Sequence, residues 1–117
     1  LRWAKPYSSE AGVGLDERFV FAVDTDGVLN AYLRDGGVSA WRNDKLKHRH
    51  LSAPASFGRS VVIGDMAGFV HFLSREDGSF IGRISTDGSQ ILAAPIVIGA
   101  NLVIQTKSGS VVALAIE

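Results

Sequence analysis

The stretch Ser60-Val61-Val62-Ile63-Gly64-Asp65-Met66-Ala67-Gly68-Phe69-Val70-His71-Phe72-Leu73-Ser74 sets two apolar runs around a short polar turn that ends in glycine. The pattern recurs around Gly27 and Gly109, each 41 residues from Gly68. Phe19 to Val23 and Val28 to Leu33 flank the first glycine, and Leu102 to Ile104 and Val111 to Ile116 flank the last. Pro54 and Pro95, Leu51 and Leu92, Ala53 and Ala94, and Arg42 and Arg83 keep the same spacing. A repeat of about 40–45 residues built from strand pairs is the signature of a β-propeller blade. The expected fold is therefore all-β, with about three blades of four antiparallel strands.

Working outward from the middle repeat, the first strand is expected at residues 51–57, the second at 60–65, the third at 69–74 and the fourth at about 79–84. Val61, Val62 and Ile63 do not alternate with polar residues, as befits a strand covered on both faces by neighbouring blades. Gly27, Gly68 and Gly109 stand where a tight hairpin or its bulge needs positive φ, and Gly36 and Gly78 do so between the third and fourth strands. Pro54 and Pro95 are expected inside the innermost strands, because proline is confined to sheet edges and strand starts. The blades are read as residues 10–42, 51–84 and 92–117, the last lacking its fourth strand, with residues 1–5 closing a preceding blade. A propeller needs about four to eight blades to close, so the expectation is a piece of a larger ring, cut at Leu1 and ending naturally near Glu117.

Composition narrows the function classes. Twelve basic residues balance twelve acidic ones, and no basic patch interleaved with aromatics points to nucleic acid. The absence of cysteine excludes disulfides, thiol catalysis and iron–sulfur ligation in these 117 residues. No apolar run approaches the length of a membrane helix. Any signal peptide or lipid-attachment cysteine would lie upstream of Leu1.

The residues that invite a chemical reading have plainer ones. His48-Arg49-His50 resembles a His-x-His chelate, but Lys45, Lys47 and Arg49 oppose a cation and no carboxylate or cysteine completes a ligand set, so no metal is expected. Asp24-Thr25-Asp26-Gly27 begins like a calcium loop without its later ligands. The repeat instead aligns Asp24 with Asp65 and Thr106, at the end of the second strand. Ser and His occur without a Gly-x-Ser-x-Gly elbow or an ordered triad, and no phosphate-binding glycine loop is present. Arg34 and Arg75, ahead of the acidic turns, are expected to be solvated. Trp41 is replaced by Gly82 one repeat later, which makes it packing in a single blade. No catalytic residue and no cofactor emerge.

Four segments resemble the BamB family, the lipoproteins of the outer-membrane β-barrel assembly machinery of Gram-negative bacteria. They are residues 46–54 (LKHRHLSAP), residues 62–71 (VIGDMAGFVH), Asp35-Gly36-Gly37-Val38 with Trp41, and residues 102–111 (LVIQTKSGSV). The resemblance covers nearly the whole chain and places it at the C-terminal end of that family. It implies an eight-bladed, non-enzymatic propeller with PQQ-like repeats, on the periplasmic side of the outer membrane and tethered by an upstream lipid. Its implied partners are the POTRA domains of the barrel component BamA, other assembly subunits and unfolded outer-membrane proteins. The principal contacts of the family lie on earlier blades, so none transfers to a residue here. Physical reasoning nominates Arg49 and His50, on the longest charged connection, as protein-contact candidates. The competing expectations are a blade set from a pyrroloquinoline-quinone-dependent dehydrogenase, which would need calcium ligands and cofactor, and a cytoplasmic propeller adaptor.

Overall fold

The computed structural model describes residues 13–115. The strand expected at residues 1–5 lies outside them, as do residues 10–12 of the first blade and Ile116 and Glu117 of the last.

Eleven strands make three antiparallel sheets among the described residues. The first sheet runs β1 (Val13–Leu15), β2 (Phe19–Val23), β3 (Leu29–Leu33) and β4 (Ser39–Asn43). The second runs β5 (Ala55–Phe57), β6 (Ser60–Gly64), β7 (Phe69–Ser74) and β8 (Phe80–Ser85). The third holds β9 (Ile96–Ile98), β10 (Asn101–Gln105) and β11 (Val111–Ala115), with β10 in the middle. Each sheet is a meander in chain order, and the short inner strands β1, β5 and β9 lie side by side. This is the radial stacking of propeller blades.

Two hydrophobic layers hold the blades together. Phe19, Phe21, Leu29 and Trp41 of the first sheet pack on Val61, Ile63 and Leu73 of the second. Val62 and Val70, on the other face of the second sheet, pack on Leu102 and Ile104 of the third. Val61, Val62 and Ile63 are consequently all fully buried. Successive side chains of a strand face opposite ways, so an unbroken apolar run is what a blade between two others requires.

The inner strands are shorter than expected. The strand anticipated at 51–57 is confined to Ala55–Phe57, with Pro54 immediately before it, and Pro95 likewise precedes β9. The reason lies in the hydrogen bonds. Ser52 Oγ accepts the Gly64 amide at 3.0 Å while the Ser52 amide donates to the Gly64 carbonyl. Pro54 has no amide to offer, so the ladder begins only after it. The second strand stops at Gly64 rather than Asp65, because the Asp65 side chain takes over the turn. The fourth strand is displaced by one residue, to Phe80–Ser85.

Gly27, Gly68 and Gly109 adopt φ of 86°, 83° and 101°, and Gly36 and Gly78 adopt 86° and 76°. At Gly78 the need is double. A Cβ there would also collide with the indole of Trp41.

Candidate functional site

The connection from β4 to β5 carries the charged sequence from Asp44 to His50. Both His48 and His50 have left-handed backbone, with φ of 64° and 51°. That conformation disfavours side chains other than those of Asn, Asp and His. Arg49 lies between these two bends, and its guanidinium turns inward, 3.3 Å from Asp65 Oδ2. Its carbonyl accepts the Met66 amide at 2.9 Å, which staples the connection to the β6–β7 hairpin. One repeat later the Gln90 carbonyl accepts the Lys107 amide at 2.8 Å. The backbone staple is a property of the repeat, whereas the Arg49 ion pair belongs to one blade.

Asp65 is the hub of this node. It is fully buried, and its Oδ1 accepts the amides of Ala67 and Phe69 while Oδ2 meets Arg49 and His71. Burial opposes the charge, but the bond from His71 and the two amides outweigh it and hold the carboxyl below its ordinary value. His71 is almost as buried, with Nε2 2.8 Å from Asp65 Oδ2. Burial pushes the imidazole pKa down. Asp65 pulls it back only in part, and the positive charges of Arg49 and Arg83 add to the lowering. The node is thus a neutral histidine donating to a buried carboxylate that an arginine also reaches.

The aligned positions in the other repeats keep the turn and change the rest. Asp24 Oδ1 accepts the amides of Asp26 and Val28, which is hairpin geometry rather than a calcium loop. Thr106 Oγ1 accepts the Ser110 amide and donates to Asp87 Oδ2 at 2.6 Å. In the middle repeat the hairpin supplies the carboxylate and the connection the cation. In the last, the connection supplies the carboxylate instead.

His48 and His50 are exposed and line an open polar depression of about 410 Å³ with Asp24, Asp26 and Gln90. Among the described residues no cluster of three or more His, Cys, Asp or Glu side chains could hold a metal ion.

The far end of the same two blades is closed by charge. Arg75 was expected to be solvated, yet its side chain is only 19% exposed and meets Asp16 and Glu17 of the β1–β2 turn at 3.2 Å each. Arg18 pairs in return with Glu76 at 3.1 Å. Trp41 Nε1 donates to the Arg75 carbonyl at 2.8 Å, and Asn43 Nδ2 to that of Gly78. Arg34 remains exposed but donates to the Asp16 carbonyl. Sequence reasoning missed Asp65, His71 and Arg75 as partners. The Gly-Asp-x-x-Gly-x-x-His spacing held the first pair, once the hairpin register is known to set His71 beside Ile63.

Comparison with known proteins places this geometry. A family model described as outer membrane protein assembly factor BamB matches residues 25–117. The protein of that name from Burkholderia pseudomallei is 50% identical over 109 residues, covering 93% of this chain and 29% of its own length. The crystal structure of BamB from Moraxella catarrhalis superposes with a TM-score of 0.84 at 32% identity, over 94% of this chain and 32% of that one. A quinohemoprotein alcohol dehydrogenase from Pseudomonas putida HK5 superposes with a TM-score of 0.73 at 18% identity, over 97% of this chain and 20% of its own. That last likeness is one of fold alone. The chain spans just under a third of the length of the relatives it matches.

Proposed function

The chain belongs to the BamB family of outer membrane protein assembly factors, and from that premise we propose that it forms part of a non-catalytic scaffold supporting the assembly of outer-membrane proteins. The family match over residues 25–117 carries this reading. The stiffness of the blades supports it. Buried apolar layers, a buried Asp65–His71 pair reached by Arg49 and backbone staples hold the connections in one shape before any partner arrives, and preorganised loops lose less entropy on binding. Connections between blades and the β6–β7 type of hairpin tip gather on one face, where His50 is exposed and Arg49 half-exposed.

On this reading the parent protein works at the periplasmic side of the outer membrane, held by a lipid anchor. It docks on the POTRA domains of a BamA-like barrel component, beside other assembly subunits and unfolded outer-membrane proteins. It needs no cofactor and catalyses no reaction.

The test is the affinity of the full-length protein for the isolated POTRA region. Saturable binding is expected, and its absence removes the partner. An Arg49→Ala/His50→Ala double variant with unchanged affinity removes those two residues while leaving the scaffold in place. Tight uptake of pyrroloquinoline quinone with Ca²⁺, accompanied by dye reduction, would overturn the non-catalytic reading.

A further inference from the structure

A groove of about 390 Å³ opens on the outer rim between the first two blades, bounded by the connection after β4 and by strand β8. It is lined by Lys45, Arg49, His71, Phe80, Ile81 and Arg83, among others, and by no carboxylate residue. Its size falls within the range of small-ligand and peptide clefts.

Three features make it unlike its surroundings. The first is charge. At the opposite end of the same blades Arg18 and Arg75 are each matched by carboxylates. Among the described residues neither Lys45 nor Arg83 has such a partner. Arg83 rests instead over the Phe69 ring at 4.6 Å. Asp65, behind His71, already spends its charge on Arg49 and His71. The second is apolar surface, since Phe80 is 44% and Ile81 59% exposed. The third is backbone. Among the described residues β8 pairs only with β7 and has an open edge, where Ile81 is the extra residue of a bulge opposite Phe72 and Leu73. Such an edge offers hydrogen bonds to another chain, and the bulge restricts the pairing to a few residues.

We propose that this groove binds a short extended peptide segment in which an aspartate or glutamate neighbours a large apolar side chain. The carboxylate sits among Lys45, Arg49 and Arg83, and the apolar side chain lies on Phe80 and Ile81. The peptide backbone meets the open edge of β8, a mode of recognition in which main-chain bonds give affinity and side-chain slots give selectivity. A phosphodiester chain has no amides for that edge and no use for the apolar floor. His71 contributes the floor of the groove, held in place by Asp65 at 2.8 Å. The inference does not depend on the assembly role proposed above.

Fluorescence anisotropy on the full-length protein tests it, with a labelled hexapeptide of alternating Glu and Phe. Saturable binding is expected, weakened about tenfold or more when every Glu becomes Gln, as befits loss of charge-assisted contacts. Lys45→Glu/Arg83→Glu should abolish it and Phe80→Ser should weaken it, and all three positions are exposed enough to spare the fold. No saturable binding, or equal binding by wild type and the charge-reversed variant, overturns the proposal. So does equal binding of a Glu–Ser hexapeptide or of inorganic polyphosphate, which would mark a plain anion patch.

Discussion

His71 Nε2 lies 2.8 Å from Asp65 Oδ2, and neither side chain exposes more than 3% of its surface. The pair joins strand β7 to the hairpin that precedes it and turns a local bend into a buried polar centre. Buried carboxylates are tolerated when their lone pairs are filled, and here two amides, an imidazole and a guanidinium fill them.

Stability should fall as the medium is acidified below neutrality. The folded-state pKa of His71 lies below its ordinary 6.5. Below pH 6.5 the unfolded chain therefore takes up a proton that the folded chain takes up only at lower pH, and the excess protons on the unfolded state draw the equilibrium toward it. Asp65, also lowered, adds a second loss below its ordinary 3.8. Urea midpoints of the full-length protein should drop between pH 7.5 and 5.5. His71→Asn should flatten that drop, since Asn30 already occupies the aligned position one repeat earlier. An unchanged wild-type midpoint would contradict the buried neutral histidine.

Asp65→Ala should cost about 3–5 kcal/mol, the range for removing one partner of a buried charged pair. Asp65→Asn keeps an oxygen for the Ala67 and Phe69 amides and should cost less. Chemical denaturation measures both, and equal costs would mean that the charge, rather than the turn contacts, carries the effect.

Trp41→Ala should cost about 3–5 kcal/mol through the cavity left between the first two blades. Trp41→Phe retains most of the packing but leaves the Arg75 carbonyl without its indole donor, for about 1–3 kcal/mol. Thermal unfolding of both variants separates packing from hydrogen bonding.

Gly68 and Gly109 share left-handed backbone and differ in surroundings. A Cβ on Gly68 would come within 2.9 Å of the Gly88 amide nitrogen, the Ser89 carbonyl oxygen and Thr86 Oγ1, while one on Gly109 would meet nothing within 4 Å. Gly109→Ala should therefore cost only the conformational term of about 1–2 kcal/mol. Gly68→Ala should exceed it measurably. Equal midpoint shifts would show that the second and third blades give way to one another.

The 41-residue period, the turn glycines and the unbroken apolar runs were legible in the chain because they are local. Glycine answers a dihedral requirement at its own position, and a strand buried on both faces shows it in consecutive residues such as Val61, Val62 and Ile63. Even the start of the inner strands was misplaced only by a few residues, through a serine hydroxyl that competes with the ladder. The site was a different matter. Arg75 reaches Asp16 across 59 positions, Arg49 reaches Asp65 across 16, and the cations Lys45 and Arg83 meet on either side of one groove. None of these distances is written in a period, because each depends on how one blade leans on the next. The repeat determined the blades, and their stacking alone decided which charges were neutralised and which were left facing outward.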